Sequence, residues 1–186
     1  LLERIRRATD VEPRVLSGTE EANLTFLGLL SSGVSEPLLA ADLGGGSLEL
    51  MGGSAPSPDW AVSLPLGVRL LTERYRPTDP PELDVLGPMV AYARNLIDRV
   101  AADHPATACV VGGGTPLALA RLARQAELDR DALVRCVEAL AGSTADDLAA
   151  HESIDPARVR MCFPGAAVLE AVRRSFEVTH VTVSTA

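Results

Sequence analysis

At 186 residues the chain is long enough for one ordinary domain or one lobe of a two-lobed protein, and its 47% hydrophobic and 23% charged content excludes a disordered segment. A formal net charge of -8, with arginine supplying all 17 basic residues, disfavours general nucleic-acid binding. No apolar run reaches the length of a membrane span and no signal-peptide pattern opens the chain, so membrane partners are not expected and the cytoplasm is.

Leu1 to Arg7 reads as helical without a capping residue before it, and Pro13 to Leu16 as a short extended piece. Ser17-Gly18-Thr19-Glu20 has the form of a capping box, in which Ser17 accepts from a first-turn N–H and Glu20 reaches back to the Ser17 amide. The helix it starts runs through Phe26 and Leu29 to about Ser31-Ser32-Gly33. An apolar strand from Pro37 to Leu43 follows, then a glycine turn, a second strand from Ser47 to Met51, a loop from Gly52 to Pro58 and a third strand from Ala61 to Leu66. Gly67 to Tyr75 is helical. Beyond a proline-rich connector, Leu86, Met89, Val90, Ala93, Leu96, Ile97 and Val100 recur at helical spacing in a helix from about Glu82 to Ala102.

Thr107 to Val111 is a fourth strand, ending in Gly112-Gly113-Gly114-Thr115. Helices are predicted over Pro116–Ala126, Asp131–Ala141, about Ala145–His151 and Pro164–Phe176, and a last strand at His180–Ser184. Three meandering strands pair antiparallel, while strands separated by helices join by parallel crossovers. The expectation is an α/β fold, a mixed five-stranded sheet with helices on both faces. Cys109, Cys136 and Cys162 are far apart in apolar surroundings and read as buried thiols in a reducing cytosol, without the spacing of a zinc site.

Two loops can carry chemistry. In Asp42-Leu43-Gly44-Gly45-Gly46-Ser47-Leu48-Glu49, a strand–turn–strand lets successive backbone N–H groups face one concavity and hold a phosphate. Glycine permits close approach and positive φ, and Ser47 adds a hydroxyl. Asp42 can hold magnesium or its water shell, and Glu49, two residues past Ser47, points to the same side. The competing reading is a plain hairpin. The stretch is neither a Walker loop nor a dinucleotide fingerprint, since no Gly-Lys-Ser/Thr and no helix follows it. Gly112-Gly113-Gly114-Thr115 passes from strand to helix and offers an anion the helix N-terminus, or is only a tight turn capped by Thr115. In an acidic chain, phosphates must be held by such backbone N–H groups and a cation. Glu20 suits the capping box, while Glu21 points about a quarter-turn away, either toward a cleft or simply toward the favourable end of the helix dipole.

Ser17-Gly18-Thr19-Glu20-Glu21-Ala22, the Asp42–Glu49 stretch and Leu64-Pro65-Leu66-Gly67-Val68-Arg69-Leu70 together resemble the Ppx/GppA phosphatase family. Val111-Gly112-Gly113-Gly114-Thr115, Gly165-Ala166-Ala167 and Val183-Ser184-Thr185-Ala186 fall in the same family order. The resemblance spans essentially the whole chain. It implies an actin/hexokinase/Hsp70-like pair of ribonuclease-H-type lobes that removes a terminal phosphate from inorganic polyphosphate or guanosine pentaphosphate with Mg²⁺. It further implies that Glu21 is the base activating water, shielded from bulk solvent. Asp42 and Glu49 would sit by the metal, and Gly44, Gly45, Gly46, Ser47, Gly113, Gly114 and Thr115 would bind phosphate.

The family's opening Asp-x-Gly-Ser-Asn-Ser loop and its later Gly-Leu-Arg-Glu-Gly run are not in this sequence, and both termini read as cut. The expected division is residues 1–36 as a remnant of the first lobe and 37–186 as the second. The chain alone is then expected to have little phosphatase activity; a homodimer is compatible with the resemblance. Two alternatives remain open: a non-catalytic sensor of guanosine tetra- or pentaphosphate, and another ATPase or sugar kinase of the same superfold.

Overall fold

The structure, a computed structural model, describes residues 2–9, 11–30, 38–54 and 56–185. The elements that position the site are α2 (Gly18–Leu30), the hairpin β1 (Leu38–Leu43) and β2 (Leu48–Ser54), β3 (Ser57–Leu64) and α3 (Val68–Tyr75). α4 (Leu86–Asp103), β4 (Ala108–Gly112) and α5 (Gly114–Ala123) follow, then β5 (Glu127–Asp129), α6 (Arg130–Gly142), α7 (Ala145–Glu152), α8 (Pro156–Ser175) and β6 (His180–Val183). A short α1 (Leu2–Thr9) precedes them, with none of its residues buried.

The sheet runs β3-β2-β1-β4-β6-β5. β1 to β3 form the expected antiparallel meander, and β1–β4 and β4–β6 are the expected parallel pairs. The strand count is corrected from five to six. β5 pairs antiparallel with β6 in the stretch directly after the helix expected to reach Ala126, to which the sequence assigned no element. It has three residues with only Leu128 buried, too short to show a period of two, and α5 stops at Ala123 because Arg124 turns left-handed at φ 56. The loop expected over Gly52–Pro58 is largely strand: β2 runs to Ser54 and β3 starts at Ser57, with a bulge between Gly52 and Gly53. The first strand's expected start at Pro37 lies outside the described residues.

The second correction concerns α8. Pro164 marked its predicted start because proline cannot donate to a helix ladder. Instead Pro164 lies buried inside a helix that begins at Pro156, with the Asp155 carboxylate accepting from the Ala157 and Arg158 N–H groups at 2.7 and 3.3 Å. Asp-Pro at cap and first turn was the readable signal. The middle of α8, from Cys162 to Leu169, is buried without a break, because α3 to α7 pack around it.

The alternation of β1 sends Leu39, Ala41 and Leu43 to the main core beneath α3 to α8. Ala40, Met51 and Val110 face the other way and form a smaller cluster with Phe26 and Leu29 of α2. That second face is the one onto which Asp42 and Glu49 also project, since each is two residues from a member of the small cluster.

Candidate phosphate site

Strand register builds a row. Gly112 of β4, Asp42 of β1, Glu49 of β2 and Ser63 of β3 are successive partners across four strands, on the α2 face. Ser63 Oγ donates to Glu49 Oε1 at 3.0 Å and fixes that carboxylate. This contact was not anticipated; once β3 is aligned, its alternation would have shown it.

α2 brings a third carboxylate. Its capping box forms as read: the Ser17 N–H donates to Glu20 Oε2 at 2.9 Å, and the Glu20 N–H donates to Ser17 Oγ at 3.3 Å. These bonds and Arg14 hold the Glu20 carboxyl below its usual range. Glu21 takes no part in the box and is exposed, so the shielding from water expected for it is not supplied by the described residues. Its charge is nevertheless felt at Asp42, whose carboxyl is pushed above its ordinary value first by burial, then by Glu49 and then by Glu21.

Among the described residues Asp42 has no cationic partner. Glu170 shows the contrast: burial raises its carboxyl, but Arg173 and Arg174, at 2.8 and 2.6 Å, outweigh it and bring the pKa below the usual range. The Asp42 row is thus an uncompensated concentration of negative charge. No group of three His, Cys, Asp or Glu side chains among the described residues is arranged to hold a metal alone. The Asp42–Glu49 pair suits Mg²⁺, which keeps several waters and is held by one or two carboxylates together with substrate phosphates.

The first glycine loop is a four-residue turn closed by the Gly44 N–H donating to Ser47 O at 3.0 Å. α3 buttresses it: the first free N–H groups of that helix, on Val68 and Arg69, donate to Gly44 O and Gly45 O, each at 3.0 Å. Gly67 is required for this approach, because a Cβ there would strike the Gly45 and Gly46 backbone. The N–H groups of Gly45 and Gly46 have no partner among the described residues. One expectation fails: Gly44, Gly45 and Gly46 do not have positive φ. Their common property is that a Cβ would fit without a clash: it would meet Ser47 O at 3.5 Å from Gly44, the Arg69 Cβ at 3.9 Å from Gly45, and nothing within 4 Å from Gly46.

The second loop uses positive φ where the first does not. Gly113 has φ 114, and a Cβ on it would lie 2.5 Å from Leu43 O and 3.4 Å from Asp42 Oδ1. Gly113, rather than Thr115, is the N-cap of α5. Thr115 lies in the first turn, 6% exposed, with its methyl against Gly165, where no Cβ would fit.

A cavity of about 410 Å³ is lined by Gly44 and Gly45, Gly114 and Thr115, and Arg158 and Met161. The two loops and the N-terminus of α8 therefore meet, and the Arg158 guanidinium lies directly over the Gly114 backbone. Arg158 was missed because the start of α8 was misread. Gly46, Ser47 and Gly113 lie outside the lining of this cavity. Glu49 lines a separate groove of about 530 Å³ beside α2, with Thr19, Asn23, Trp60 and Ser63. Loops and carboxylates thus lie at the same ends of the central strands without sharing one cavity, and Asp42 is in the lining of neither.

Comparison with known proteins agrees with this architecture. The model of the Ppx/GppA phosphatase family matches residues 1–186. Exopolyphosphatase 1 of Mycobacterium leprae is 31% identical over 98% of this chain and 59% of its own length, and Exopolyphosphatase 1 of Mycobacterium tuberculosis is 32% identical over 98% and 58%. The chain therefore spans somewhat over half the length of these relatives. Among solved structures, an exopolyphosphatase from Cytophaga hutchinsonii superposes with TM-score 0.83 at 24% identity, covering 99% of this chain and 65% of that one. The Aquifex aeolicus Ppx/GppA phosphatase also gives 0.83, at 21% identity, with 98% and 65% covered.

Proposed function

The chain belongs to the Ppx/GppA phosphatase family, and from that premise we propose that it forms the phosphate-binding part of a hydrolase that removes terminal phosphate from inorganic polyphosphate. The observation that carries this reading is the meeting of two glycine loops and Arg158 around one cavity beside an uncompensated carboxylate row. The resemblance to exopolyphosphatases favours polyphosphate. Guanosine pentaphosphate, which offers the same terminal group, is the competing substrate.

The residues divide the work. The free N–H group of Gly45, and those of Gly114 and Thr115 at the start of α5, receive oxygens of the terminal phosphates in the shared cavity. Arg158 donates to the same oxygens in a planar fork. Asp42 and Glu49 would hold Mg²⁺, with Ser63 keeping the Glu49 carboxylate in place. When bound, the cation supplies charge neutralisation on the phosphate. Glu21 takes a proton from the attacking water; the new O–P bond forms as the bridging O–P bond breaks, giving inorganic phosphate and a chain one unit shorter.

The test is phosphate release from polyphosphate and from guanosine pentaphosphate by the full-length protein with Mg²⁺. Glu21→Gln is expected to lower turnover by about 10²- to 10⁴-fold, the usual contribution of a general base, with polyphosphate still bound. Binding without turnover in the unaltered protein would replace the hydrolase with a sensor. Unchanged turnover in Glu21→Gln would remove Glu21 from the chemistry.

A further inference from the structure

On the far side of Arg158 lies a second cavity, of about 420 Å³, lined by Gly114, Leu117, Ala118, Arg121, Ser153, Ile154, Asp155 and Arg158. Gly114, Asp155 and Arg158 also line the cavity at the glycine loops, so the two cavities adjoin and together mark a track past Arg158. Gly114, Leu117, Ala118 and Arg121 are spaced three, four and seven residues from the first and share one face of α5. Seven residues of helix place Arg121 about 10 Å further along than the loop.

Most charged groups near this track are already engaged. Arg124 pairs with Glu152 at 3.5 Å, and the Asp155 carboxylate is occupied by the first N–H groups of α8. Arg121 and Arg158 have no ion-pair partner among the described residues. In a chain of net charge -8, two unpaired guanidiniums against the single Asp155 carboxylate leave this track locally positive. Leu117 and Ile154 flank the second cavity with apolar surface, and Leu117 is itself 42% exposed.

We propose that this second cavity is a distal-phosphate subsite. While the terminal phosphate occupies the glycine loops, phosphates further along the substrate run past Arg158 and are held by Arg121. The inference rests on the phosphohydrolase reading above and adds a specificity-determining residue outside its chemistry. Either a longer inorganic chain or the distant phosphates of a guanosine nucleotide would supply the same contact.

Calorimetric titration of the full-length protein with pyrophosphate, long-chain polyphosphate and guanosine pentaphosphate tests it. Arg121→Gln is compared with Arg121→Lys and with Arg130→Gln, which removes the same charge from α6 outside the track. Arg121→Gln is expected to weaken long-chain polyphosphate about three- to fivefold, as for one exposed charged contact. Pyrophosphate binding stays unchanged, Arg121→Lys recovers most of the loss, and Arg130→Gln stays within about twofold of the unaltered protein. A loss confined to guanosine pentaphosphate supports the subsite and identifies its source of phosphate. The proposal is overturned if Arg121→Gln behaves like Arg130→Gln, or weakens pyrophosphate as much as the long ligands. If the unaltered protein binds none of the three, the hydrolase reading fails and this subsite falls with it.

Discussion

The two glycine loops look alike in sequence and are opposite in physics. At Gly113 the backbone is left-handed and the space for a Cβ is filled by Leu43 O, while at Gly67, the brace of the first loop, it is filled by the Gly45 and Gly46 backbone. There, glycine is dictated by the fold. At Gly44, Gly45 and Gly46 the backbone is ordinary and the nearest contact a Cβ would make is 3.5 Å away, ordinary van der Waals distance. Nothing in the fold asks for glycine at those three positions. Three consecutive glycines are costly in backbone entropy, so a demand from outside the protein, the close approach of a ligand, accounts for them better.

The contrast can be broken from either side. The largest effect belongs to Gly113→Ala, which combines a left-handed φ with a carbonyl clash and is expected to cost about 2–4 kcal/mol. For a chain of this size that lowers Tm by roughly 4–16 °C, readable by calorimetry. A Tm within a degree of the unaltered protein would show that the second loop tolerates a side chain.

A smaller effect of opposite sign is expected at Asp42. Its pKa is raised above the usual 3.8 by burial, Glu49 and Glu21, so ionising it works against folding. Well below pH 3.8 the group is protonated in folded and unfolded chains alike; the penalty grows as pH rises from there and is complete above the folded pKa. Asp42→Asn therefore raises Tm at pH 7, and the gain shrinks to nothing as the solution is acidified past that range. A destabilised Asp42→Asn at neutral pH would mean that the carboxylate row has a structural partner.

Much of the frame was legible because local patterns and tertiary demands agree. The capping box at Ser17, the meander after it and the parallel strands before each glycine loop form as read. What escaped was whatever needed neighbours to define it. β5 is three residues long and exists because β6 offers an edge. Pro164 reads as a helix boundary in one dimension, yet the helices packed around α8 carry the ladder past it. Of the site, the loops and carboxylates are visible as motifs, whereas Arg158, Arg121 and Ser63 are ordinary residues until register and helix faces bring them to the sheet edge. Of the two reasons read for the first loop's glycines, close approach of a ligand and positive φ, the second does not hold, since turn geometry and ligand access favour the same residue.

The most direct test of the claim that those glycines serve a ligand is Gly45→Ala, measured at once for stability and for polyphosphate binding. The methyl group meets only the Arg69 Cβ, at 3.9 Å, so the fold is expected to be unchanged or more stable by about 0.4–1 kcal/mol through the unfolded chain. Polyphosphate affinity is expected to fall about tenfold or more, roughly one lost charge-assisted hydrogen bond. A variant that binds polyphosphate as tightly as the unaltered protein, with its stability intact, would contradict the account.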